Sequence, residues 1–150
     1  MRVVVQRVLQ SELRIEGKIH SSIDQGLLIL IGIEETDTEE DAQWLASKIC
    51  SMRIFSDEEG KMNLDLLQIK GELMLVSQFT LFASTKKGNR PSFIRSAKPE
   101  KANALYNFFI GECEKICPKP VKTGVFGADM KISLTNDGPV TIFVDSKNRE

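Results

Sequence analysis

GLLILIGI, residues 26–33, is an apolar run whose only interruptions are glycines. It has the length of a strand, and a strand without a polar face is one buried on both sides. These residues predict the central strand of a sheet, and the neighbouring segments are read by how they would cover it.

Upstream, residues 3–9 (VVVQRVL) are rich in β-branched side chains and read as a second strand. Leu13, Ile15 and Ile19 flank Glu16-Gly17-Lys18, a turn candidate, so an early hairpin is expected. Downstream, Thr38 and Asp41 have the spacing of an N-terminal cap, and Ala42, Leu45, Ile49 and Met52 recur at helical steps. Residues 39–52 therefore predict an amphipathic helix whose acidic first turn suits the helix dipole. A second helix should start near Pro99, bury Ala102, Leu105, Phe109, Cys113 and Ile116, and stop before Pro118. Residues 73–81, 121–126, 130–135 and 140–144 read as further strands, the last two separated by the turn residues Asn136-Asp137-Gly138-Pro139. The expected fold is α/β: a single domain over residues 1–150, with a mostly antiparallel or barrel-like sheet covered by two main helices.

Composition sets the outer limits. The 150 residues suffice for one buried core without metal or disulfide staples. Twenty basic against 21 acidic residues give a net charge of -1, so any attraction to nucleic acid must come from local distribution. No apolar stretch approaches the ~18 residues of a membrane span, and the arginines at positions 2 and 7 argue against a signal peptide. Cys50, Cys113 and Cys117 are an odd set that suits a reducing cytoplasm. A zinc site would need about four ligands, and His20 is the only histidine, so neither a metal nor another cofactor is expected.

Three segments could carry chemistry. Ser77-Gln78-Phe79-Thr80-Leu81 places two hydroxyls and an amide at the end of an apolar strand, where they could donate to a developing oxyanion or simply bond to backbone. Asn136-Asp137-Gly138-Pro139-Val140-Thr141 is ordinary turn chemistry, yet an X-Pro bond in the cis form would aim carbonyls in unusual directions and could capture an ammonium group. Residues 86–101 hold Lys86, Lys87, Arg90, Arg95, Lys98 and Lys101 against Glu100, with Phe93 among them; this is either a phosphate footprint or a solvated loop. A Ser or Thr nucleophile ordinarily needs a histidine base, and His20 in a turn region does not suit that role.

Together the first two segments resemble the signature motifs of the D-aminoacyl-tRNA deacylases, also called the D-tyrosyl-tRNA deacylase family. MRVVVQRV at residues 1–8, RIFSDEEGKMNL at 53–64, KKGNRPSF at 86–93 and TGVFGADM at 123–130 extend the likeness over nearly the whole chain. Ser84 departs from it, where many relatives carry an acidic residue. The resemblance implies a cytoplasmic homodimer acting on aminoacyl-tRNA at its 3′-terminal aminoacyl-adenosine, with active sites at the subunit interface. Ser77, Gln78, Phe79 and Thr80 of one subunit would face a cis Gly138-Pro139 dipeptide of the other, which excludes L-side chains. Arg7 would brace that dipeptide, and Phe79 would lie where the terminal adenosine binds.

On this likeness the activity is hydrolysis of D-aminoacyl-tRNA, and of glycine mischarged on the alanine tRNA, with L-aminoacyl-tRNA spared. Either Thr80 attacks, or the adenosine 2′-hydroxyl assists water; the lack of a protein base favours the second. A non-catalytic tRNA-binding module and a conventional Ser/Thr hydrolase of small esters are the competing readings.

Overall fold

A computed structural model describes residues 1–149. Its strands are β1 (Arg2–Ile15), β2 (Lys18–Ile23), β3 (Gly26–Gly32), β4 (Phe55–Ser56), β5 (Met62–Leu64), β6 (Glu72–Ser77), β7 (Lys122–Thr123) and β8 (Met130–Asp145), and its α-helices are α1 (Glu39–Ser51) and α2 (Pro99–Ile116). The main sheet runs β2-β1-β3-β6-β7, with β8 along the other edge of β1. The β1 pairs with β2, β3 and β8 are antiparallel, whereas β3-β6 and β6-β7 are parallel. Each parallel step needs a long crossover, and α1 and α2 supply them. Ser21 at the β2 end donates to the Thr123 carbonyl of β7 at 3.1 Å, so the sheet curls nearly into a barrel.

The apolar run behaves as its composition demands. Leu27, Ile29 and Ile31 join Val3, Val5, Leu73 and Leu75 in a core beneath the helices, where Ala42, Leu45 and Ile49 of α1 meet Leu105, Phe109 and Cys113 of α2. Leu28 faces the other way, into a second core with Val8, Leu13, Ile23, Met74 and Val76. The strand's period of two therefore feeds two hydrophobic layers from one segment.

Several boundaries differ from the sequence reading. Residues 3–9 and 13–15 form one long strand rather than two, because β1 changes partner along one edge from β3 to β2 without leaving the sheet. Residues 73–81 are not all strand: β6 ends at Ser77, and Phe79–Phe82 is a short 3-10 helix. Residues 121–126 contribute only the two-residue β7. Residues 130–144 form one continuous strand along β1, so residues 136–139 are not a hairpin turn. The β4-β5 pair was not anticipated.

The three thiols converge where α1 and the end of α2 meet, with Cys50 Sγ 3.6 Å from Cys117 Sγ. A hydrogen bond that the Cys50 thiol donates to Cys113 dominates its rise to about 12, with burial adding to it; the Cys117 thiol is likewise pushed up, by Cys50 and by burial. Such groups remain neutral thiols at ordinary pH and pack as small hydrophobes.

Asp41 ties the start of α1 to the end of the chain. One of its oxygens accepts from the Thr38 amide at 2.9 Å, and the other accepts from Ser146 Oγ at 2.7 Å. Ser146 Oγ in turn accepts from the Met1 ammonium, which also pairs with buried Asp37 at 2.6 Å. Burial alone would raise the Asp41 carboxyl, but the bonds from Ser146 and Thr38 and the nearby ammonium outweigh it and hold the group below its ordinary value. A lowered folded pKa adds stability that is complete above the unfolded value near 3.9 and is lost as pH falls through the folded one. In urea unfolding from pH 6 to pH 2.5, Asp41→Asn should therefore be destabilised at pH 6 and draw level with the unaltered chain in acid. A gap independent of pH would contradict this.

Candidate active site

The ends of the parallel strands β3 and β6 open into a cleft of about 580 Å³. Ile31, Ile33 and Val76 form its floor, Ser77, Gln78 and Phe79 one wall, Ser96 and Ala97 the approach to α2, and residues 126–130 the opposite wall. β6 delivers Ser77 opposite Ile31, whose carbonyl accepts the Gln78 amide at 2.6 Å. Gly32 is tight here: a Cβ would lie 2.9 Å from the Leu81 Cβ, so the glycine lets the 3-10 turn press against β3.

The turn is held from three sides. Leu81 N–H donates to the Gln78 carbonyl at 3.2 Å, so the Phe79 and Thr80 amides precede the first internal bond of the turn. The Gln78 side-chain amide donates to Thr80 Oγ1 at 2.5 Å, and Ser96 Oγ donates to the Phe79 carbonyl at 3.0 Å. Arg2 reaches from the start of β1 to the Leu81 carbonyl at 3.2 Å, with its guanidinium 4.6 Å from the Phe82 ring centre and its Nε on Asp145 at 2.9 Å. Phe79, 57% exposed, stands at the cleft rim with its ring centre 5.1 Å from that of Phe93, edge to face.

Gly138 and Pro139 belong to a different part of the molecule. Along β8 the register moves from Gln6↔Thr141 to Val8↔Asn136, so Arg7 alone faces residues 137–140, which bulge out of the strand. Asn136 closes the neck: its Oδ1 accepts the Val140 amide at 2.7 Å and its Nδ2 donates to Thr141 Oγ1 at 2.9 Å. The Gly138-Pro139 peptide is cis, and both residues are exposed. Arg7, 6% exposed, sits beneath them, with Nε on the Asp137 carbonyl at 3.1 Å, the Asp137 carboxylate also at 3.1 Å, and NH1 on the Ile54 carbonyl at 2.5 Å.

The two motifs are therefore not brought together within one chain. Arg7 stands level with Leu27 and Leu73, whereas Ser77 stands level with Ile31, about 13 Å further along the strands. Residues 137–140 also lie on the β8 side of β1, three strand spacings or roughly 14 Å from β6. His20 is exposed on β2, which borders neither motif. A smaller cleft of about 350 Å³, lined by residues such as Ser11, Ser22 and Ser133, contains none of the motif residues.

Sequence reasoning missed Arg2 and Ser96 as supports of the turn. Arg2 left a signal, being a charge inside an apolar strand just as Arg7 is; Ser96 left none.

The model of the D-Tyr-tRNA(Tyr) deacylase family matches residues 4–145. Relatives described as D-aminoacyl-tRNA deacylase in Cytophaga hutchinsonii and Akkermansia muciniphila are 60% and 57% identical over 150 residues, covering 100% of each chain. A solved structure described as a c-Myc DNA unwinding element binding protein has a TM-score of 0.92 and 37% identity, over 97% of this chain and 98% of that one. A probable eukaryotic D-amino acid tRNA deacylase gives a TM-score of 0.78 at 18% identity over 95% and 97% of the chains, a likeness of fold alone. These likenesses place the chain among the hydrolases. It belongs to the D-Tyr-tRNA(Tyr) deacylase family. No helix of the described residues is long and apolar enough to cross a membrane.

The Arg7 bracket makes a stability prediction. Arg7→Lys keeps a charge but cannot serve the Ile54 and Asp137 carbonyls with a fork, so denaturant unfolding should show a loss of about 1–3 kcal/mol. Gly138→Ala would set a methyl 2.8 Å from Arg7 NH2 at a backbone φ of +124°, and should be destabilised as well. Unfolding midpoints unchanged in both variants would show that the bracket is idle.

Proposed function

We propose that this chain hydrolyses the ester joining a D-amino acid to the terminal adenosine of tRNA, with residues 1–150 as one catalytic domain of a cytoplasmic homodimer. The observation that supports it most is the separation of the two motifs: a cleft walled by Ser77 to Phe79, and an outward-facing Gly138-Pro139 held on Arg7 some strands away. A second copy can present its dipeptide to the first copy's cleft, which one chain cannot do for itself.

In this reading the dipeptide carbonyls receive the substrate's α-ammonium, and the dipeptide leaves no room for an L-side chain. Discrimination works by exclusion, which requires a rigid wall, and a buried arginine under the bulge is suited to supply one. Glycine, having no side chain, passes the same wall, so glycine mischarged on the alanine tRNA is also a substrate. Phe79 at the rim offers an aromatic face to the adenine.

Chemistry falls to the substrate and to the donors of the turn. The ester carbonyl lies against the Phe79 and Thr80 amides and Gln78, which stabilise the oxyanion. Thr80 Oγ1 accepts from Gln78, and no imidazole adjoins it to take its proton, so Thr80 is an orienting group rather than a nucleophile. Water attacks with the adenosine 2′-hydroxyl assisting its deprotonation; the carbonyl-to-ribose bond breaks, and the 3′-oxygen leaves with a proton. No cofactor or metal enters the balance.

Deacylation of D-tyrosyl-, L-tyrosyl- and glycyl-tRNA, measured side by side, tests the reading. The D- and glycyl esters should disappear well above the buffer rate while the L-ester persists. Equal loss of the D- and L-esters would remove the chirality gate, and binding without cleavage would leave an RNA-binding module. Thr80→Ala should keep activity within about tenfold, whereas a 2′-deoxy terminal adenosine should abolish it; an acyl group trapped on Thr80 would reverse that assignment.

A further inference from the structure

The cations of residues 86–101 do not act as one patch. Arg95 is committed to Glu34 at 3.0 Å and lies over the Phe82 ring. The Lys98 amide donates to a Glu35 carboxylate oxygen at 3.2 Å, and the Lys101 ammonium donates to the Glu35 carbonyl. These contacts fasten the start of α2 to the end of β3. Lys86, Lys87 and Arg90 lie apart from these contacts, together on one loop: all three are exposed, and neither they nor the Lys98 ammonium forms an ion pair or side-chain hydrogen bond with another described residue.

Their loop is nonetheless a shaped element. Ser84 and Ser92 exchange backbone hydrogen bonds at 2.8 and 2.9 Å, closing its base, and Gly88 at φ +67° turns its tip. The base is anchored to the cleft rim, because Ser84 follows the 3-10 turn and Phe93 packs on Phe79. Arg90 is three residues from Phe93, within about 10 Å of chain. Ile94, beside Phe93, is 93% exposed, leaving an apolar face next to the cations. Unpaired cations interleaved with an aromatic and an apolar side chain are the surface that single-stranded nucleic acid uses, phosphates on the charges and bases on the faces.

We propose that residues 84–94 are a strand-holding arm: Lys86, Lys87 and Arg90 take the phosphates of the single-stranded 3′ end just upstream of the terminal adenosine, while Phe93 and Ile94 support the adjoining bases. This rests on the cleft receiving that adenosine. The arm accounts for how a small cleft gains affinity for a large polyanion in a chain of net charge -1.

The test compares the unaltered chain with a Lys86→Ala, Lys87→Ala, Arg90→Ala triple variant. A second triple, Lys18→Ala, Lys61→Ala, Lys115→Ala, removes the same charge elsewhere. D-tyrosyl-tRNA and D-tyrosyl-adenosine, which has no phosphate, are the substrates, and uncharged tRNA binding is titrated with salt. The arm variant should raise KM for the tRNA about tenfold or more with kcat nearly unchanged, and its log-log salt dependence should flatten by about 2, three contacts at ~0.7 each. Cleavage of D-tyrosyl-adenosine and the behaviour of the second triple should match the unaltered chain.

An unchanged KM and salt slope, an equal loss in both triples, or an equal loss on D-tyrosyl-adenosine would each overturn the arm. If the unaltered chain cleaves neither ester, the deacylase reading fails by itself. The salt dependence of tRNA binding then still decides for or against the arm.

Discussion

The structure depends on β1 having partners on both edges over most of its length. A long central strand cannot leave its amides and carbonyls unpaired in a core, so β8 follows one edge from Arg2 to Ile15, with breaks at Arg7 and Leu9, while β3 and then β2 take the other. That arrangement forces the curl of the sheet and fixes the register of β8. It also leaves the larger of the two breaks in the β1-β8 pairing, opposite Arg7, as a defined pedestal rather than a loose loop. The strand thus acts as a ruler, with Arg2 near one end supporting the 3-10 turn and Arg7 further along supporting residues 137–140.

A ruler that holds two motifs apart has a functional consequence. The cleft faces out from the ends of β3 and β6, and the dipeptide faces out from β8, whose outer edge pairs with no strand among the described residues. A long unpaired edge is a natural template for another chain. The proposed dimer is consistent with the constraint that builds the sheet: in that proposal each copy would offer half of a site and take the other half from its partner. Rigidity matters more than reactivity in such a design, since a gate that excludes by shape works only if it cannot yield.

Much of this was legible in the sequence, for identifiable reasons. The central strand announced itself by an apolar run with no polar face and both helices by periodic burial of one side, and Thr38, Asp41, Pro99 and Pro118 punctuate the helices by local chemistry. Cys113 was read as part of the buried stripe of the second helix, and it is fully buried there. What escaped were features set by tertiary partners. Asn136-Asp137-Gly138-Pro139 has the composition of a hairpin turn, and only the register of β1 on both sides of it makes it a bulge within one strand. Ser77 to Leu81 continues an apolar strand in composition, and its break into a 3-10 turn comes from packing against Gly32. The basic run could not be divided into fastening and free cations until Glu34 and Glu35 were placed beside it.

The account's central claim, that a working site takes its cleft from one copy and its gate from another, is tested most directly by complementation. Phe79→Ala spoils only a cleft, and Gly138→Ala spoils only a gate. Co-expressed and purified as the mixed dimer through distinct tags, the two variants should assemble one site with both faults and one with neither. The account predicts D-tyrosyl-tRNA cleavage at about half the rate of the unaltered dimer, with the L-ester still spared. A mixed dimer no more active or selective than its parents, or a monomer with full selective activity, would contradict it.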